Sequence, residues 1–171
     1  LVVTNFSDDT VSILRNDGLG FGHLVPDQQP LSVGVGPKGI AATDLDHDGN
    51  ADLLICCSED RTIEVYTGLN LRNGSREPAQ KVNTPGKPED VDPEDVVKPK
   101  FGNVGVTTTE PDEIVIMDVG TDGALSNPLS YPAGDDPGPI TSDDVDGDGK
   151  EDYVVSNTGD GTVTVLKQSD A

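Results

Sequence analysis

Tryptophan is absent, the other aromatic residues amount to three Tyr and three Phe, and 11 lysines and arginines face 32 aspartates and glutamates. With so few rings, the chain is poorly equipped to stack sugars, which weighs against a lectin that works through aromatic platforms. The net charge of −21 excludes a nucleic-acid or anionic-membrane partner, because both would be repelled. Cysteine is nearly missing too. Cys56 and Cys57 are the only two, and neighbours on a strand point to opposite faces, so an ordinary disulfide between them would be strained. They are expected to serve as two small hydrophobes in a strand, and no disulfide framework indicates a compartment. Nothing reads as a secretory leader or a membrane span: the early sequence carries Asp8, Asp9 and Asp17 and no long apolar run. A chain that starts at Leu1 rather than Met is expected to be a processed or excised piece.

What is abundant is turn chemistry. Twenty glycines and 13 prolines in a chain that is 33% hydrophobic predict many short strands joined by turns, with no helices. Full disorder could share this charge, but it would lack the Val- and Ile-rich runs that recur along the chain.

Those runs repeat. Shifted by 100 residues, Pro37-Lys38-Gly39-Ile40-Ala41-Ala42-Thr43-Asp44-Leu45-Asp46-His47-Asp48-Gly49 falls without gaps on Pro137-Gly138-Pro139-Ile140-Thr141-Ser142-Asp143-Asp144-Val145-Asp146-Gly147-Asp148-Gly149. The match continues through Asp52/Asp152, Asp60/Asp160, Thr62/Thr162, Ile63/Val163 and Val65/Val165. The start of the chain, Val2-Val3-Thr4-Asn5 and Thr10-Val11-Ser12-Ile13-Leu14, matches Val154-Val155-Ser156-Asn157 and Thr162-Val163-Thr164-Val165-Leu166. Val106-Thr107-Thr108-Thr109 and Ile114-Val115-Ile116-Met117 supply a further copy. The period is thus roughly 50 residues.

Each copy predicts a strand such as 40–43, an acidic loop, a strand at 52–57, a tight turn, an alternating strand at 62–67 and a weaker strand at 80–83. Four antiparallel strands per unit, in units that must stack to bury both faces, define an all-β fold of β-propeller blades, about three and a half repeats in this chain. The units divide as 1–35, a partial blade; 36–86, a blade with an acidic loop; 87–135, a blade with a degenerate loop; and 136–171, a partial blade with an acidic loop. The glycine-rich stretches 19–22 and 34–39 are expected to be turns between blades.

The acidic loop Asp44-x-Asp46-x-Asp48-Gly49-Asn50-x-Asp52 recurs as Asp144-x-Asp146-x-Asp148-Gly149-Lys150-x-Asp152. Carboxylates at positions 1, 3, 5 and 9, with a backbone carbonyl at position 7, offer the all-oxygen shell that calcium accepts and that suits magnesium less well. Asn50 and Lys150 can share position 7 only if the carbonyl is the ligand, since an ammonium cannot coordinate. Gly49 and Gly149 stand where the chain must turn sharply. Two calcium sites per chain are therefore expected. An EF-hand is excluded because its twelfth position needs a bidentate Glu, and here that position is Ile55 or Val155, inside a strand. In the third copy the loop reads from Asp95 with Val97 and Pro99 at the ligand positions, so that blade is expected to bind no calcium.

The segments 37–66 and 137–166, with the acidic loop, then Asp52-Leu53-Leu54-Ile55 or Asp152-Tyr153-Val154-Val155, then Gly-containing turns and Thr-Val-Thr-Val, resemble the FG-GAP/VCBS repeats of integrin α-subunit heads and many secreted microbial proteins. The resemblance covers nearly the whole chain. It implies a calcium-binding propeller, with the ion in the loop between the first and second strands of a blade, most often in an extracellular, adhesive protein of seven blades.

Catalysis finds little support. His23 lies in a loop, His47 is matched by Gly147, and no G-x-S-x-G motif, zinc cluster or phosphate loop is present. The pair Asp135-Asp136 could mimic a glycosidase dyad but reads better as a turn. The expected function is a non-catalytic calcium-stabilised module for extracellular protein or glycan interaction. Self-association, or the remaining blades of a longer chain, would close the ring. The alternative is the propeller domain of a secreted polysaccharide-degrading enzyme. Asn5-Phe6-Ser7 and Asn73-Gly74-Ser75 fit the glycan-acceptor pattern.

Overall fold

The computed structural model describes residues 1–16, 18–19, 23–27, 29–68, 78–94 and 102–168. Their regular structure is all-β, with a turn of 3-10 helix at Phe6–Asp8. No helix among them is long and apolar enough to cross a membrane. The glycan-acceptor triplet at Asn73 and the acidic-loop residues 95–101 lie outside the described residues.

Among the described residues, four antiparallel sheets follow one another along the chain. In the first, β2 (Thr10–Asn16) pairs with β1 (Val2–Asn5) on one side; on the other, β3 (Leu24–Pro26) covers its end and β4 (Leu31–Ser32) its start. The second runs β5 (Pro37–Thr43), β6 (Asp52–Cys57), β7 (Thr62–Tyr66), β8 (Gln80–Asn83). The third runs β9 (Lys87–Pro93), β10 (Asn103–Thr109), β11 (Glu113–Val119), β12 (Leu125–Pro132). The fourth has three strands, β13 (Pro137–Asp143), β14 (Asp152–Asn157) and β15 (Thr162–Leu166). Among the described residues the four sheets close no ring.

The first strands lie side by side, β5 against β9 and β9 against β13. Gly39 makes the first of these approaches close: a Cβ there would sit 2.6 Å from Asp90 Cα and 2.9 Å from the Glu89 carbonyl oxygen. The stretch 34–39 is therefore not wholly a turn, since β5 begins at Pro37 and a bulge between Pro37 and Ile40 absorbs its first residues.

Alternation along β6 explains the packing. Leu53, Ile55 and Cys57 join Val11, Leu31 and Tyr66 between the first and second sheets. Leu54 and Cys56 point the other way, with Ile63 and Val65, into Val104, Val106, Val115 and Met117 of the third sheet. Both cysteines are free and buried, one in each core. Ile114 of the third sheet meets Ile140, Tyr153 and Val155 of the fourth. Each such side chain contributes about 1.5–3 kcal/mol when fully buried. Two threonines register the outer joints: Thr4 Oγ1 donates to the Lys38 carbonyl at 2.9 Å and Thr107 Oγ1 to the Gly138 carbonyl at 2.8 Å. At the middle joint Lys38 Nζ spans the gap to both Glu89 oxygens, at 2.7 and 2.6 Å.

One core position is ionic. Glu64, with a side chain 1% exposed, accepts a hydrogen bond from Tyr66 Oη at 2.7 Å and pairs with Lys81 Nζ at 2.5 Å. Glu64 in turn raises the Lys81 ammonium above its usual range. Replacing Lys81 by Met leaves a buried carboxylate without its cation. Breaking a fully buried pair costs ~3–5 kcal/mol; Lys81 is half exposed, so the expected loss is about 2 kcal/mol, read as a lower urea midpoint at unchanged m-value. A midpoint equal to wild type would remove the pair from the list of stabilising contacts.

Candidate metal sites

Both acidic loops are the first hairpins of their sheets. Thr43 pairs with Asp52 across β5 and β6, and Asp143 with Asp152 across β13 and β14, so loops 44–51 and 144–151 are closed at equivalent rungs. Short aspartate side chains fold the loops by accepting backbone N–H bonds. In the first loop Gly49 N donates to Asp44 Oδ2 at 3.0 Å, Asp48 N to Asp46 Oδ1 at 3.0 Å and Asn50 N to Asp48 Oδ1 at 2.7 Å. In the second, Asp144 Oδ1 accepts from Gly147 N at 2.7 Å and Asp148 N at 3.1 Å, and its Oδ2 from Gly149 N at 2.9 Å. Gly49 and Gly149 have φ of 88° and 84°, a conformation that disfavours any Cβ although space around them is open. Position 4 needs the same region: Gly147 has φ 83°, and His47 adopts φ 59° at some strain.

In the first loop Asp44, Asp46 and Asp48 each offer an oxygen, all within 4.8 Å of one another. In the second, Asp144, Asp146 and Asp152 do so. Asp52 falls outside that group of three: 1% exposed, it accepts Leu45 N on Oδ2 at 2.8 Å and Gly68 N on Oδ1 at 2.7 Å. Asp148 Oδ2 lies 3.7 Å from Lys150 Nζ, and Asn50 Nδ2 donates to Asp48 Oδ1 at 2.9 Å. Asp152 accepts Gln168 N on Oδ1 at 3.0 Å, yet its Oδ2 is buried without a hydrogen-bond donor, as is Asp44 Oδ1. A buried carboxylate oxygen lacking a donor is costly. Hard, all-oxygen donor sets with one such oxygen in each loop fit a hard divalent cation.

The third hairpin differs. Pro93 pairs with Val104 as Ala42 pairs with Leu53, and Glu94 N donates to the Asn103 carbonyl at 3.0 Å, so the place of Asp44 falls at residue 95, outside the described residues, and Glu94 stands where Thr43 and Asp143 stand. Protein donors already serve its carboxylate: Asn103 N reaches Oε2 at 3.1 Å and Gln168 Nε2 reaches Oε1 at 2.9 Å. Asp135 and Asp136 sit in the turn before β13, where Thr158 N donates to the Asp136 carbonyl at 2.9 Å and Thr158 Oγ1 to its carboxylate at 2.5 Å. Asn5 Nδ2 is engaged within its sheet, donating to Thr10 Oγ1 at 3.0 Å and Ser12 Oγ at 2.9 Å.

Lys167 was not singled out by the repeat. It follows β15, and its Nζ lies 3.0 Å from Asp146 Oδ2, which lowers the Asp146 pKa. Its counterpart, Thr67, is uncharged, and nothing in a self-comparison marks such a difference as belonging to the loop.

Burial pushes Asp52, Asp92 and Glu94 above the ordinary carboxylate range. An acid with a raised folded pKa favours the fold while protonated, and that stability is lost as pH rises through the raised value. Asp146 and Asp160 are lowered, by Lys167 and by the Thr162 hydroxyl respectively, and act oppositely, losing stability only as pH falls further. In calcium-free buffer the melting temperature is therefore expected to rise as pH is lowered from 7 towards the raised values of these acids, helped by relief of the −21 charge. A monotonic fall over that window would contradict this assignment.

A scan against protein-family models finds none that matches the chain, and a search of curated proteins finds no match either.

Proposed function

We propose that the chain is a non-catalytic calcium-binding module of β-propeller blades, in which ions at the two hairpin loops stabilise the strand connections for extracellular protein or glycan interaction. The observation that carries this reading is the convergence of three carboxylates within 4.8 Å in each of two equivalent hairpins, each loop retaining a buried oxygen without a donor. Asp44, Asp46 and Asp48 would hold one ion, and Asp144, Asp146 and Asp152 the other. Asp52, Asp148 and the carbonyls of Asn50 and Lys150 complete the proposed ligand set. The ion would supply charge neutralisation and crosslinking rather than a reaction. Calcium titration calorimetry on the whole chain is expected to give two equivalents, one lost in Asp44→Asn and the other in Asp144→Asn. Absence of binding in the wild-type chain would end the proposal.

The side-by-side first strands and face-to-face apolar packing support blades arranged about an axis. By the repeat, β1 and β2 match β14 and β15, so the first sheet lacks a counterpart of β13 and the last, among the described residues, lacks a fourth strand. Val163 and Val165 are 63% and 46% exposed, whereas their counterparts Ile63 and Val65 are 0% and 2%. Leu1 and Val3 are 69% and 43% exposed at the opposite end. Ser156 occupies the place of Thr4 and Thr107, whose hydroxyls register the following sheet. A second copy of the chain, or further blades, would cover these faces; a solution mass of one chain at high concentration with calcium would argue against self-association.

A further inference from the structure

The two acidic loops share a motif but differ in what surrounds it. Asp152, 1% exposed, belongs to the second cluster and keeps a buried oxygen without a donor. Yet Lys167 Nζ already lies 3.0 Å from Asp146 Oδ2 in that same cluster, and Lys150 Nζ lies 3.7 Å from Asp148 Oδ2. At the first loop the matching residues are Thr67 and Asn50, neither of them charged.

Resting on the calcium reading above, we infer that Lys167 is a built-in competitor cation that makes the second loop the weaker, exchangeable site and leaves the first as the tighter one. A divalent ion entering among Asp144, Asp146 and Asp152 would bind the Asp146 carboxylate that the ammonium already holds. Like charges a few ångström apart repel, so the ion must displace Lys167 into solvent, where its side chain is already 58% exposed. The cost is that of one exposed ion pair plus residual repulsion, which sets the difference at about five- to tenfold in affinity. Between the two dissociation constants the first loop is filled and the second holds its lysine. Release of Lys167 also reaches the joint between the third and fourth sheets, because the next residue, Gln168, donates its N to Asp152 and its Nε2 to Glu94.

Calorimetric titration of the whole chain with calcium chloride at fixed ionic strength tests this, using Lys167→Met, Thr67→Lys and the charge-matched control Arg15→Gln. The wild-type chain should show two affinity classes, the weaker one lost in Asp144→Asn. Lys167→Met should tighten that class about five- to tenfold and leave the other alone. Thr67→Lys should weaken the tighter class by a similar factor, and Arg15→Gln should change neither. If both loops bind calcium but Lys167→Met and Thr67→Lys leave the affinities unaltered, or Arg15→Gln shifts them equally, the role of Lys167 is overturned while the calcium reading stands. If no calcium binds to the wild-type chain, both fall.

Discussion

Removing divalent cations with a chelator is expected to lower the melting temperature of this chain by about ten degrees or more, and added calcium should restore it. The acidic loops gather carboxylates within 4.8 Å on a chain of net charge −21, so the folded state without an ion must hold like charges together. An ion bound only to the folded chain adds about 2.7 kcal/mol at a hundredfold excess over its dissociation constant. Two filled loops would therefore add roughly 5 kcal/mol, and a chain of this size moves by about 2–4 °C per kcal/mol. Thermal melts followed by circular dichroism, with chelator and then with millimolar calcium, measure the difference. The double variant Asp44→Asn, Asp144→Asn should melt at one temperature under both conditions. A wild-type chain that ignores the chelator would show that its loops are held by backbone hydrogen bonds alone.

The second large effect is expected at Gly105. It lies on β10 facing the fourth sheet, where a Cβ would come within 2.6 Å of Tyr153 Cδ1 and 2.9 Å of Ile140 Cδ1. Tyr153 is 2% exposed and fills the space the glycine leaves open. Gly105→Val must push a buried ring out of a packed joint, at a cost near the upper end of the ~1–3 kcal/mol typical of overpacking. The melting temperature should fall by about 6–12 °C. Shrinking the ring should offset the damage, so Gly105→Val with Tyr153→Ala should be less destabilised than the two single changes added together. A Gly105→Val variant as stable as wild type would mean that the third and fourth sheets do not meet here.

These two sites differ in how visible they were in the sequence. The acidic loops stand out because their carboxylate spacing and turn glycines recur without gaps, and the strands at 52–57 and 80–83 coincide with β6 and β8, where apolar runs and flanking turns agree. β5 starts three residues before the expected 40–43, at Pro37, because a bulge lets a proline- and glycine-bearing segment join the ladder. Gly105 reads in sequence as a weak point in a valine-rich strand; only the facing Tyr153, from a segment about 50 residues on, explains it. The same distance effect hides Lys167 and Gln168, which reach Asp146 and Glu94 from the end of β15. Register in the third hairpin was legible, since Asn103 pairs where Asp52 does, but nothing local marks Glu94 as a residue that Gln168 reaches. What meets the exposed faces of the first and last sheets is something a repeat cannot encode within itself.

The most direct measurement is an anomalous difference map from crystals of the chain grown in calcium, recorded at a wavelength where calcium scatters anomalously. Two peaks are expected, one among Asp44, Asp46 and Asp48 and one among Asp144, Asp146 and Asp152. Loops lacking anomalous density at millimolar calcium, or peaks confined to other acidic surfaces, would contradict the account.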